Sequence, residues 1–113
     1  MNPVINMKYY YVYIVLCFDG SYYTGVTNNL EKRINEHNAG IDTNCYTFKR
    51  RPITLKFFQE FTDIKDAITK EKQIKGWSRK KKEALIRSDF KELIRLSINR
   101  ISTSLRQAQT DIP

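Results

Sequence analysis

The sequence predicts an α+β fold, a small three-stranded antiparallel sheet flanked by helices. Three observations predict it. Residues 9–27 hold two runs rich in Tyr, Val and Ile on either side of Asp19-Gly20, the pattern of a β-hairpin. Residues 53–61, ITLKFFQEF, form a third short run of strand-forming residues. Between and after these runs stand segments with helical apolar spacing, opened by capping residues and, in two cases, closed by glycine.

The bulk numbers set bounds. The chain has 113 residues, enough for one core and not for two. No apolar run approaches the ~20 residues of a membrane span, and the N-terminus lacks the layout of a signal peptide. With two cysteines, Cys17 and Cys45, and one histidine, neither a disulfide framework nor a four-ligand zinc site is expected. A cytoplasmic, reducing setting follows. The formal charge of +8 points to a polyanionic partner, nucleic acid before others.

Residues 1–8, with Pro3, read as a loosely ordered leader. In the hairpin, the turn decides which side chains share a face. A two-residue loop of Asp19-Gly20 pairs Phe18 with Ser21 and sends Tyr13 and Tyr23 to opposite faces. A three-residue loop of Phe18-Asp19-Gly20, with Gly20 left-handed, pairs Cys17 with Ser21. Tyr13 then stands opposite Gly25 and Tyr23 opposite Val15, so both phenols share a face with Tyr11 and Thr27. Turn chemistry favours this second loop. Gly25 leaves room beside Tyr13. Tyr10, Val12, Ile14, Leu16, Tyr22 and Val26 make the opposite, packing face.

Asn28 to Glu31 reads as a capping box that opens a helix over about 29–39, stopped by Gly40. Leu30 and Ile34 face the core. Arg33 and His37, four apart, flank that stripe. Residues 40–52 form a polar loop without a period. Lys49, Arg50 and Arg51 cluster there beside Tyr46 and Phe48, which can stack on bases or on Arg planes. The strand 53–61 carries Leu55, Phe57, Gln59 and Phe61 on one side and Lys56, Phe58 and Glu60 on the other. Apolar surface on both sides suits a sheet with helices over both faces.

A helix over 63–75 follows, capped by Thr62 or Asp63 and ended by Gly76. Ile64, Ala67, Ile68 and Ile74 are its apolar positions, and Glu71 falls among them. A carboxylate on such a face needs a partner, either a Lys or Arg or a bound cation. From Lys65 to Arg87 nine Lys or Arg stand against three acids, a net of +6, which reads as a phosphate-contacting patch. Lys72, Lys75, Arg79, Lys80, Lys81 and Lys82 are its candidates. Ser78 caps a third helix to about 87, with Ala84, Leu85 and Ile86 for packing. Asp89 to Glu92 is a further capping box, opening a helix over 90–100 with Phe90, Leu93, Ile94 and Ile98 on one face. That face suits docking on the domain or dimerisation. The tail 102–113 reads as disordered.

Tyr11-Val12-Tyr13 and Tyr23-Thr24-Gly25, ten residues apart, resemble the paired motifs of the GIY-YIG nuclease superfamily, with Tyr11 for the first Gly, Val12 for Ile and Thr24 for the second Ile. Arg33 and His37 match the helix that carries site residues in these nucleases. Glu71, in EKQIKGW, matches the family's helical metal-binding Glu. IKGWSRKKKEALI is similar to the small bacterial branch in which one such domain is the whole protein. The resemblance covers about residues 7–87, leaving 88–101 as an additional helix and 102–113 as tail.

The resemblance implies a metal-dependent endonuclease acting on DNA, selective for structure and linked to repair or recombination. Glu71 would hold one Mg²⁺ or Mn²⁺. Tyr13 or Tyr23 would orient or deprotonate the water, and which of them does so is left open. Arg33 would stabilise the developing phosphate charge, and His37 would relay protons or hold the phosphate. Gly25 is structural at the site. Where some members carry a Lys beside the second motif, this chain has Val26 and Thr27. The alternative is a nucleic-acid-binding module that kept the fold without the chemistry. The retention of Glu71 in a polyanion-binding protein favours the enzyme. A monomer and a weak dimer are both compatible with the sequence.

Overall fold

The computed structural model describes residues 8–98. The expectations for the leader before residue 8, the end of the last helix and the 102–113 tail fall outside them. Packing divides the chain after Gly76 into two units, each described by itself.

The first unit is built on a sheet of β1 (Tyr10–Leu16), β2 (Tyr22–Thr27) and β3 (Thr54–Phe61), in the order β2-β1-β3. Both pairings are antiparallel. The hairpin turns through three residues. Cys17 N–H donates to the Ser21 carbonyl at 2.8 Å, Gly20 N–H to the Cys17 carbonyl at 3.0 Å, and Gly20 has φ +85°. Asp19 holds the turn by accepting from Ser21 N–H and Oγ. Tyr13 therefore pairs with Gly25 and Val15 with Tyr23. Tyr13, Val15 and Cys17 form a buried cluster with Ile53, and Leu30, Ile34 and Leu55 pack against it. On the opposite face Val12 and Ile14 are fully buried.

β3 departs from its expected alternation. A bulge between its pairings with Ile14 and Val15 sets Phe57 opposite Ile14 but Leu55 opposite Val15. Leu55 thus joins the face of Tyr13 while Phe57 stays on the other, where simple alternation had placed both together. Coverage of both faces also fails at this edge. Phe58 is 54% exposed, and Lys56 and Glu60 are exposed beside it.

α1 (Leu30–Ala39) begins one residue later than the capping box predicts. Asn29, not Asn28, is the cap and accepts from Lys32 N–H at 3.1 Å. Thr27 Oγ1 accepts from Asn29 N–H at 3.1 Å and so fixes the cap's position. Gly40, at φ +69°, ends the helix as predicted. The loop that follows is not formless. It contains a 3₁₀ turn, Phe48–Arg50. Phe18 N–H donates to the Arg50 carbonyl and Arg50 Nε to Asp19, at 2.9 and 3.0 Å, tying this turn to the hairpin tip. Asn38 clamps the entry to β3, accepting from Ile53 N–H at 2.8 Å and donating to the Ile53 carbonyl at 3.2 Å.

α2 (Ile64–Lys75), capped by Asp63, packs against all three strands. Ala67, Glu71 and Ile74 are its buried residues, spaced four and three apart on one stripe. Ile64 and Ile68, expected on that stripe, are 40% and 37% exposed. They lie at the flank, where the burial of Glu71 displaces the stripe's centre.

In the second unit, α3 (Arg79–Ile86) starts at Ser78, whose Oγ accepts from Lys81 N–H, and buries Ala84 and Leu85. Residues 90–98 are helical and open on Asp89, which accepts from Glu92 N–H at 3.2 Å. Only half of the expected capping box forms. Glu92 turns to Arg95 at 2.5 and 2.8 Å instead of reaching back. Phe90, Ile94 and Ile98 are exposed. Among the described residues no helix is long and apolar enough to cross a membrane.

Candidate functional site

The hairpin register gathers the chemistry. Tyr13, 1% exposed, projects past Gly25 toward α1. A Cβ on Gly25 would stand 2.5 Å from Tyr13 Cζ and closer still to its hydroxyl, so only glycine admits this phenol. The Tyr13 hydroxyl lies 2.8 Å from His37 Nε2. Arg33, one turn earlier on α1, pairs with Glu36 at 3.5 Å, and its charge acts on the same phenol. The expected spacing of four places both side chains on the sheet.

Tyr23 meets His37 edge-on at 5.4 Å and Tyr13 at 6.4 Å between ring centroids. Tyr46 stacks on it from the loop, 6.2 Å away and 13° off parallel. Arg50 lies 3.8 Å over Tyr46, and Arg51 4.6 Å over Phe48. The Arg planes expected as one stacking partner of these aromatics are thus the chain's own. Arg51 also donates to the Phe48 and Asn38 carbonyls. Lys49 is exposed.

Glu71 is 7% exposed, and its Oε1 lies 2.5 Å from Lys75 Nζ. Lys75, half exposed, also stands 6.0 Å over the Tyr23 ring. The buried carboxylate thus sits beside the second tyrosine and carries an ammonium. Lys72 is exposed on the same helix. Arg79, Lys80, Lys81 and Lys82 belong to the second unit, where Arg79 approaches Glu83 at 3.4 Å and Lys81 lies 4.3 Å over Trp77.

Two residues of the site were not among the sequence candidates. Thr47, buried, has Oγ1 2.8 Å from His37 Nδ1. Cys45 accepts from Thr47 Oγ1 at 3.4 Å and lies 3.9 Å from His37 Nδ1. Gly40 and the Asp42 turn, where Asn44 N–H donates to Asp42 Oδ1, fold the loop back over the end of α1. That reversal is the only signal in the sequence that leads toward them.

Burial governs the titration of these groups. It pushes Tyr13 up to about 12, with Arg33 pulling the other way. Tyr23 is raised as well, by burial first and then by Cys45. His37 is held below the usual histidine range by burial and by the Arg33 charge. Cys45 falls below the usual thiol range. Burial alone would raise it, but hydrogen bonds from Thr47 and Tyr23 and the Arg33 charge together outweigh that. The site thus holds an imidazole against a buried phenol, a guanidinium whose charge acts on both, and a buried carboxylate near Tyr23. It can bind an anion and move a proton.

Residues 9–84 match the family model described as the GIY-YIG catalytic domain. The chain belongs to the GIY-YIG family. Among related sequences, a UPF0213 protein of Halobacterium salinarum is 45% identical over 76 residues, covering 67% of this chain and 97% of that protein. A UPF0213 protein of Desulfotalea psychrophila is 37% identical over 90 residues, 80% of this chain and 82% of its own. The solution NMR structure of a protein from E. faecalis matches with a TM-score of 0.53 at 35% identity, covering 75% of this chain and 90% of that one. In this GIY-YIG domain the hairpin register sets Tyr13, Tyr23 and Gly25 on one face.

Proposed function

We propose that this GIY-YIG domain binds nucleic-acid phosphates at the Tyr13–Arg33–His37 cluster and hydrolyses DNA phosphodiester bonds there with one divalent cation. The observation that carries the reading is the 2.8 Å hydrogen bond between His37 Nε2 and the buried Tyr13 hydroxyl, with the Arg33 charge acting on the same phenol. Arg33 supplies fixed positive charge where a pentacovalent phosphate would build up negative charge. His37 and Tyr13 supply a proton acceptor and a donor one hydrogen bond apart. The +8 charge draws a polyanion to the surface.

The residues fit a cation. Glu71 is a buried carboxylate that already holds one, the Lys75 ammonium. Mg²⁺ or Mn²⁺ keeps most of its waters and needs few protein oxygens, so one carboxylate with substrate oxygens suits it. When bound, such an ion supplies Lewis-acid stabilisation and a more acidic water. The substrate class is DNA recognised by shape, such as branches, flaps or single-stranded ends, and the cellular role is repair or recombination.

The second reading, a nucleic-acid-binding module that does not cut, also has specific support. Lys75 occupies the carboxylate, and a phenol with pKa about 12 is a weak base source near neutral pH. One experiment separates the two. Cleavage of labelled branched, flapped and single-stranded DNA is measured with Mg²⁺ or Mn²⁺ for wild type and Glu71→Ala, with binding on the same samples. Metal-dependent cleavage lost in the variant, with binding kept, supports the nuclease. Tight binding and no cleavage by either protein, across several divalent ions, leaves the binding module.

A further inference from the structure

We infer that Thr47 and Cys45 are positioning residues that hold His37 as its Nδ1–H tautomer, so that Nε2 is free to take the proton of Tyr13. The inference rests on the hydrolytic reading for its consequence but not for its test.

The tautomer follows from where each hydrogen can go. A threonine hydroxyl has one. Thr47 Oγ1 donates it to Cys45 Sγ at 3.4 Å. With that hydrogen on sulfur, the 2.8 Å contact between Thr47 Oγ1 and His37 Nδ1 takes its hydrogen from the ring. The sulfur is the end of this chain. It offers Nδ1–H a second acceptor at 3.9 Å.

The other end gives the same answer. Arg33 has only donors and its charge acts on the phenol, so the phenol oxygen faces positive charge. The phenol is buried, and its own hydrogen goes to His37 Nε2 at 2.8 Å. That requires a bare Nε2. A neutral imidazole carries one N–H, so Nδ1 holds it. Burial and the Arg33 charge keep the ring neutral.

The arrangement prepares one proton relay. As the attacking water bonds to phosphorus, its proton passes to the Tyr13 oxygen while the Tyr13 O–H proton passes to Nε2, so no free phenolate forms. The P–O bond to the leaving strand breaks, the leaving oxygen takes a proton from solvent, and His37 later returns its proton to solvent. The opposite tautomer would present Nε2–H to Tyr13 and block the transfer, as a wrong tautomer does in any histidine-based relay.

The chain has one histidine, so imidazole ¹⁵N NMR reports His37 alone. At pH 7.5 the wild type is expected to show a protonated Nδ1 and a bare Nε2. Thr47→Val is expected to move the majority to Nε2–H, and Thr47→Ser to keep the wild-type form. An Nε2–H majority in the wild type overturns the proposal, and this spectrum decides even if Thr47→Val does not fold. An unchanged tautomer in a folded Thr47→Val overturns the role of Thr47. On DNA, Thr47→Val is expected to lose about 10²-fold in kcat with binding kept, and Thr47→Ser to recover it. If the wild type cleaves nothing, the hydrolytic reading falls, while the tautomer still tests the positioning.

Discussion

Gly25 and Tyr13 face each other across the hairpin so closely that a single added methyl would overlap the phenol ring. The missing Cβ is what lets Tyr13 reach His37. Gly25→Ala is therefore expected to lower stability by about 1–3 kcal/mol, the cost of overpacking a filled site. It should also break the Tyr13–His37 bond. Urea unfolding checks the first effect, and a change in the His37 ¹⁵N shifts checks the second. An alanine variant with wild-type stability and spectrum would contradict this account of the glycine.

In the proposed nuclease, Lys75 and a divalent cation would compete for the Glu71 carboxylate. Lys75→Gln is expected to tighten Mn²⁺ binding, and Glu71→Gln to abolish it, because removing the ammonium exposes an uncompensated buried charge that a cation can satisfy. Paramagnetic broadening on Mn²⁺ titration reads this directly. Equal Mn²⁺ affinity in wild type, Lys75→Gln and Glu71→Gln would remove Glu71 from the metal site.

Stability should fall as pH drops below neutrality. His37 is depressed from an ordinary value of 6.5 by burial and by Arg33, with Glu36 and Asp42 opposing. A base whose folded pKa is depressed binds fewer protons folded than unfolded. Its contribution is full above 6.5 and is lost as pH falls through the lower folded value. Comparing urea midpoints at pH 7.5 and 5.5 for wild type and His37→Gln isolates this. The wild type should lose more than the variant between the two, and equal losses would refute the buried, neutral imidazole.

The two cysteines should differ sharply in reactivity. Cys17 is buried and its thiol is pushed up by that burial, whereas Cys45 is partly exposed and its thiol is lowered. Iodoacetamide at pH 7.5 is expected to label Cys45 first and leave native Cys17 intact. Peptide mass spectrometry of a time course decides it. Equal labelling rates would contradict the placement of Cys45 among donors.

Much of this site was legible before the structure, for physical reasons that differ by residue. Asp19-Gly20 and the residue before it specify a turn, and the turn alone sets Tyr13 and Tyr23 on one face. Arg33 and His37 were visible as a helical pair, and Glu71 as a carboxylate on an apolar stripe that demanded a partner. Thr47 and Cys45 were not visible. They lie in a segment without periodicity whose path depends on contacts distant in sequence. The bulge in β3 was hidden too, because no Gly or Pro marks the extra residue beside Lys56. The cap of α1 shifted by one because Asn28 and Asn29 are equivalent as acceptors, and Thr27 chose between them through a bond that spacing does not encode.

Asn38 takes both backbone hydrogen bonds of Ile53, so its side-chain amide behaves as one rung of a β-ladder placed on a helix. Helix end and strand start are thereby registered to each other without help from the chain that joins them. The segment between is bracketed by fixed points, with Thr47 anchored on His37 and the turn after it at the hairpin tip. Chain length at residues 42–44 is thus decoupled from the placement of Arg33 and His37. An insertion there adds only a loop-closure term, about 0.6 kcal/mol for each doubling of length. Among the described residues, this stretch beside the site can lengthen and add new surface without displacing Arg33 and His37.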